Sequence, residues 1–190
     1  LSNREIIKAI ADFLKERKAV NIVADTVMVS TSGCRLLQED AVSALADEIF
    51  PMADIITPNI PEAEILSEME IKTPQDMLTA AGKIFETFGG NVLLKGGHLT
   101  EKAADLLYNG EGFKWLESRR INNPNTHGTG CTLSSAIASF LAEGNSISES
   151  VRLAKEYVTG AIEDGLDLGK GRGPLNHIYK SYKNGGKNEL

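Results

Sequence analysis

Apolar residues recur along this chain in two alternating patterns, one at helical spacing and one as short unbroken runs. Ser2 followed by Glu5 fits a capping box, and Ile6, Ile10, Phe13 and Leu14 then repeat at helical spacing to about Lys18. Val20 to Ala24 is an apolar run ending at Asp25, the pattern of a buried strand. Glu39 to Phe50 predicts a second helix, with Val42, Leu45 and Ile49 on one face. Asp54 to Thr57 predicts a strand stopped by Pro58, and Pro61 to Ser67 a short helix. Thr73 is placed as the N-cap and Pro74 as the first residue of a longer helix. Its apolar face is Met77, Leu78, Ala81, Ile84, Phe85 and Phe88. Asn91 to Lys95 reads as a third strand, ended by Gly96 and Gly97.

Strands this short and apolar are buried on both faces, which a parallel sheet with helical crossovers provides. The rhythm breaks once. Ala104 to Tyr108 and Phe113 to Leu116 flank Asn109-Gly110-Glu111-Gly112, a hairpin signal. Beyond Ile121 the pattern is helical over about Cys131 to Glu143, Ser148 to Glu163 and Pro174 to Tyr182. Gly169 to Pro174 is the most loop-like stretch, and 183–190 reads as a flexible tail. The length suits a single domain over 1–190.

Composition narrows the function. With 42% hydrophobic and 24% charged residues the chain is globular, not disordered. A net charge of -6 without a basic cluster argues against nucleic acid as the main partner, and no apolar run reaches the ~20 residues of a membrane span. Two cysteines make no disulfide framework, so a reducing compartment, the cytoplasm, is expected. Cys34 is read as structural.

Ligands of open α/β sheets bind beyond the carboxyl ends of the strands. Four segments fall there, and the most informative is Thr126-His127-Gly128-Thr129-Gly130-Cys131, directly before a small-residue helix. Its glycines let backbone N–H groups converge, and the helix end adds about half a positive charge, so the segment suits a phosphate. It lacks the Gly-Lys-Ser/Thr of a P-loop, and a bare Gly-x-Gly is more often a tight turn. Cys131 sits where a helix end favours the thiolate; it is either a base or polar group beside a transferred phosphoryl or a small packing residue. Asp25, ending a buried strand, is a loop cap or a metal-side carboxylate. Asn59 and Glu62, three apart at a helix start, can face one ligand, or Glu62 can simply complement the helix dipole. Together these placements favour a Mg²⁺-phosphate site, with both carboxylates expected at the open sheet edge rather than in the core. On that expectation Glu62→Gln barely moves the melting temperature. Lys95 either reaches a nucleotide phosphate or snorkels to solvent. His98 and His127 are not spaced as a metal pair, and His177 is read as a surface helix residue.

Taken together, these segments resemble the ribokinase-like superfamily and, within it, the hydroxymethylpyrimidine/phosphomethylpyrimidine kinases of thiamine biosynthesis. The resemblance is carried by Asp25 to Gly33, Thr57 to Glu64, Lys95 to His98, Asn125 to Thr132 and Gly171 to Pro174, in family order. It implies a three-layer α/β/α fold with a mostly parallel sheet. It also implies ATP-dependent phosphorylation of the hydroxymethyl group of 4-amino-5-hydroxymethyl-2-methylpyrimidine, and then of its monophosphate. By position, Cys131 resembles the residue held to be the base and also a substrate contact, and Gly128, Thr129 and Gly130 would form the anion hole. Asn59 and Glu62 match an Asn-x-x-Glu element governing Mg²⁺ and phosphate, and Asp25 an acidic position near the metal. Lys95 and Thr126 match nucleotide-contacting positions, and Val27 one lining the pyrimidine pocket.

Two departures accompany the resemblance. Thr26 stands where the family usually has proline, with a small effect on the loop expected. The resemblance also covers only about the C-terminal two-thirds of such a kinase, so the family's N-terminal portion, with much of the pyrimidine pocket, is expected to lie outside these 190 residues, which are either a trimmed chain or a fragment. A homodimer using ATP, Mg²⁺ and a small pyrimidine is expected. The alternatives are a pyridoxal or pyridoxine kinase, whose substrates also carry a hydroxymethyl group on a nitrogen heterocycle, and an inactive nucleotide-binding fragment.

Overall fold

The computed structural model describes residues 3–28, 37–97, 103–118, 121, 123, 128–166 and 173–184. The chain divides into two compact units, Leu1–Glu117 and Ser118–Leu190.

The first unit is an α/β sheet with its helices. Helix α1 (Arg4–Glu16) is capped by Asn3, whose Oδ1 accepts from the Ile6 N–H at 3.0 Å. The cap is therefore Asn3 and not Ser2, which lies outside the described residues. The buried line of α1 is Ile7 and Ala11, flanked by half-buried Ile10 and Leu14. Ile6 and Phe13, expected on that face, fall roughly 100° round the axis from Ile7 and are 44% and 55% exposed. The Arg17 guanidinium covers the Phe13 ring at 5.3 Å instead. Strand β1 is only Val23–Ala24. The chain turns through positive φ at Lys18 and Asn21, which leaves Val20 77% exposed outside the strand.

The second helical segment is less regular than its periodicity suggests. Helix α2 (Glu39–Ala44) runs into a π-helical turn, Leu45–Ile49, and then a 3-10 turn, Phe50–Met52, containing Pro51. The wider turn changes which residues face inward: Ala41, Ala44, Leu45, Ile49 and Phe50 are buried, while Val42 is half-buried. Strand β2 (Ile55–Ile56) follows, then α3 (Ile60–Ser67). Helix α4 (Pro74–Phe88) begins as expected, with a Thr73–Asp76 capping box and Pro74 in the first turn. It buries Met77, Ala80, Ala81 and Ile84.

Strand β3 (Asn91–Leu94) pairs parallel with β2, as β2 does with β1. Strand β4 (Ala103–Tyr108) runs antiparallel to β3, and β5 (Phe113–Ser118) completes the order β1-β2-β3-β4-β5. The sheet is thus mixed and mostly parallel, with the hairpin where Asn109 to Gly112 predicted it. Asn109 Oδ1 accepts from the Gly112 N–H at 2.9 Å. Gly110 (φ +80) passes so close to the Phe85 ring that a Cβ there would lie 2.3 Å from it. One apolar core unites α1, α2, α4 and the strands around Phe50, Ile56, Ile84 and Leu94.

The second unit is helical. Helix α5 (Thr129–Ala142) packs on α6 (Ile147–Asp164); Leu133, Ile137 and Leu141 are buried on the first and Val151, Ala154 and Val158 on the second. The last helix, α7, is Tyr179–Asn184 and does not begin at Pro174. Asn176 explains the late start: it donates to Asp164 Oδ2 at 2.6 Å and accepts from the Ile178 N–H at 3.2 Å, holding this stretch non-helical. Tyr179 then docks against Gly160, where a Cβ would lie 2.5 Å from the ring. Of the expected tail, Lys183 and Asn184 are helical, and 185–190 lie outside the described residues.

Candidate active site

Parallel pairing brings the carboxyl ends of β1, β2 and β3 to one edge of the sheet, and with them Asp25, Thr57 and Lys95. The Thr57 N–H donates to the Ala24 carbonyl at 3.0 Å and the Lys95 N–H to the Pro58 carbonyl at 2.8 Å, so the pairing continues just past the strands. Asp25 Oδ1 then receives two donors: the Thr57 hydroxyl at 3.3 Å and the Lys95 ammonium at 3.4 Å. Both charged side chains are 18% exposed, so each keeps a route to solvent. Lys95 does not simply snorkel outward; it is aimed at a carboxylate.

Glu62 differs from expectation. It is 2% exposed and so lies in the core rather than at an open edge. Its Oε2 accepts from the Thr26 hydroxyl at 2.7 Å and the Asn59 N–H at 2.9 Å, and its Oε1 from the Met28 N–H at 3.3 Å. Asn59 Oδ1 accepts in return from the Glu62 N–H at 2.9 Å, closing a capping box at the start of α3. Asn-x-x-Glu is therefore a helix cap whose acidic member also grips the loop after β1. Three donors converge on one anion, which compensates its burial. Asp25 and Glu62 are consequently engaged by separate partner sets. Val27, between the two gripped residues Thr26 and Met28, is 41% exposed.

Among the described residues no group of three or more His, Cys, Asp or Glu is arranged to hold a metal. Asp25 nevertheless fits Mg²⁺, which takes one or two carboxylates and keeps waters and phosphate oxygens. Glu62 has less to offer a metal, because it is buried and three donors already occupy most of its lone-pair sites.

In the second unit Gly128 adopts φ +83, the left-handed region that favours glycine, and turns the chain into α5. Its carbonyl accepts from the Thr132 N–H at 2.9 Å and the Thr132 hydroxyl at 2.8 Å, which fixes the turn. Gly128 has no side chain to offer as a cap, and among the described residues none caps this helix end, the positive end of the helix dipole. Thr129, Gly130 and the exposed Cys131 form the first turn. From Cys131 a cleft of about 440 Å³ runs along α5, walled by Ser135, Ser139, Phe140 and Tyr157. His177 also lines it, from a turn before α7 rather than from a helix, and its carbonyl accepts from the Tyr157 hydroxyl at 2.8 Å. Cys34, His98, Thr126 and His127 lie outside the described residues.

Three residues to which the sequence assigned no site role help build the sheet-edge site, and Thr26, expected only to have a small effect on the loop, is one of them. Thr26 and Thr57 place their hydroxyls on Glu62 and Asp25. Asp105 accepts from the Gly96 N–H at 3.0 Å and so holds the backbone next to Lys95. Gly96 itself has no room for a Cβ, which would lie 2.1 Å from the Ala104 carbonyl oxygen. The available signal was position alone: each threonine adjoins a residue at a strand end.

Comparison with known proteins agrees with this architecture. The chain is 45% identical over 179 residues to a thiamine biosynthesis bifunctional protein of Geobacter sulfurreducens, covering 94% of this chain and 36% of that protein. It is 42% identical over 183 residues to the hydroxymethylpyrimidine/phosphomethylpyrimidine kinase of Haemophilus influenzae, covering 93% of this chain and 68% of the relative. It therefore spans about a third of one relative and about two-thirds of the other. The ADP complex of Bacillus subtilis pyridoxal kinase superposes with a TM-score of 0.85 at 38% identity, over 95% of this chain and 67% of that one, and the fold is ribokinase-like. The phosphomethylpyrimidine kinase family model matches residues 1–176, nearly the whole length, and on that match the chain belongs to the phosphomethylpyrimidine kinase family.

Proposed function

We propose that this protein is an ATP-dependent kinase that phosphorylates the hydroxymethyl group of 4-amino-5-hydroxymethyl-2-methylpyrimidine and then the resulting monophosphate, in thiamine biosynthesis. The observation that carries the reading is the start of α5. A left-handed glycine leads into a helix end that no described side chain caps, and a cysteine stands in its first turn. Backbone N–H groups of Gly128, Thr129 and Gly130 suit the charge that develops on a transferring phosphoryl group. Cys131, as thiolate, takes the proton of the substrate hydroxyl while that oxygen bonds to the γ-phosphorus and ADP leaves.

In the first unit Lys95 supplies a point charge for nucleotide phosphate and Asp25 the carboxylate on the metal side. Bound Mg²⁺ would neutralise phosphate oxygens during transfer. Glu62 serves this reading through the loop it grips rather than as a metal ligand, Asn59 through the cap it forms, and Val27 as a residue lining the pyrimidine pocket. Thr126 belongs to the nucleotide contacts. The partners are small molecules, and the site of action is the cytoplasm. No helix among the described residues is long and apolar enough to cross a membrane.

The likeness to a pyridoxal kinase favours one second reading, transfer to the hydroxymethyl group of pyridoxal or pyridoxine. An ADP-release assay with Mg²⁺ and reductant, run with each vitamin precursor, separates the two. Release with the pyrimidine supports the first reading, release with pyridoxal alone the second, and release with neither removes both.

A further inference from the structure

The loop after β1 alternates in burial: Thr26 and Met28 point inward, Asp25 and Val27 outward. The inward pair is held by one anion. Thr26, fully buried, donates its hydroxyl to Glu62 Oε2 at 2.7 Å, and the Met28 N–H donates to Oε1 at 3.3 Å. Glu62 is itself fixed to the start of α3 through the Asn59 N–H at 2.9 Å. The two outward residues are thereby located by what their inward neighbours hold. Asp25 stands against Lys95, and Val27 opens to solvent.

We propose that Thr26 is a positioning residue. Its hydroxyl locks the loop after β1 onto the Asn59–Glu62 cap and so sets where Val27 meets the substrate and Asp25 the phosphate side. Thr26 touches no reacting group and acts through Glu62. Valine has the same shape without the donor, and proline has no hydroxyl to offer, so the lock depends on a feature of this chain. The catalytic consequence rests on the kinase reading; the lock itself does not.

The test compares the unmodified protein with Thr26→Val and Thr26→Ser in two measurements. Amide hydrogen exchange at Met28 needs no substrate. It is expected to be slow in the unmodified protein and in Thr26→Ser, and faster by about tenfold or more in Thr26→Val, because a local opening is made easier. Steady-state kinetics with the pyrimidine should show its KM raised roughly 10- to 100-fold in Thr26→Val, the scale of a misplaced binding element, with the KM for ATP within about twofold and Thr26→Ser near the unmodified protein. Fast Met28 exchange in the unmodified protein overturns the proposal. So does equal exchange in the Val and Ser variants, or an unchanged pyrimidine KM in an active enzyme. Expected exchange behaviour in a protein without kinase activity overturns the functional reading and supports the lock. If Thr26→Val does not fold, Thr26→Ala replaces it with the same expected and contradicting outcomes.

Discussion

Lys95 Nζ lies 3.4 Å from Asp25 Oδ1, so a single ion pair ties the carboxyl ends of β1 and β3 across the intervening strand β2. β2 contributes as well, through the Thr57 hydroxyl 3.3 Å from the same oxygen. The cation is held at the sheet edge by the carboxylate it faces and keeps a route to solvent; on the proposed function it meets a nucleotide phosphate there. Lys95→Met is expected to weaken ADP binding roughly 10- to 100-fold, the worth of one hydrogen bond to a charged group. Calorimetric titration with ADP checks this, and unchanged affinity would return Lys95 to a structural role.

Glu62→Gln should be felt as a loss of stability. Glutamine presents an NH₂ group where the carboxylate receives the Thr26, Asn59 and Met28 donors, so at least one buried donor loses its acceptor. The expected cost is about 1–3 kcal/mol, which at this length lowers the melting temperature by roughly 2–4 °C per kcal/mol. Thermal melts of the two proteins measure it directly.

Acid should loosen the start of α4. Hydrogen bonding with the Thr73 side chain, then the Lys72 N–H, holds the Asp76 carboxyl below its ordinary value. A carboxylate lowered on folding lends its stability above its unfolded value and loses it as pH falls through the lower folded one. The unmodified protein should therefore lose more melting temperature between about pH 7 and about pH 3 than Asp76→Asn does. Parallel slopes would show that the cap contributes nothing to acid sensitivity.

Periodicity and turn chemistry made much of the fold legible. Thr73–Pro74 and Asn109–Gly112 act locally, and both appear where the sequence placed them. The misses have tertiary causes. Ile6 and Phe13 match a helical stripe as well as Ile7 and Ala11 do, and only the packing partner selects the inward side. Pro174 looks like a helix start, but Asn176 finds a distant partner in Asp164. At the site, Asp25, Lys95 and the Gly128 turn were legible because strand ends and glycines mark them. The burial of Glu62 was not, since it depends on Thr26 and Met28 arriving from an element more than thirty residues earlier.

Cys131→Ala should cut turnover by roughly 10²- to 10⁴-fold, the range for a lost general base, with ADP affinity nearly unchanged. The cysteine is exposed in the first turn of α5, so its removal leaves the packed face of that helix intact. Turnover close to that of the unmodified protein would leave Cys131 a positional rather than chemical part of the site.

The most direct test of the account is to identify the phosphorylated product by mass spectrometry after offering ATP, Mg²⁺, the hydroxymethylpyrimidine and pyridoxal together in equal amounts. The account predicts one and then two phosphoryl groups on the pyrimidine, with pyridoxal largely unmodified. Phosphate on pyridoxal alone, or on neither compound, would contradict it.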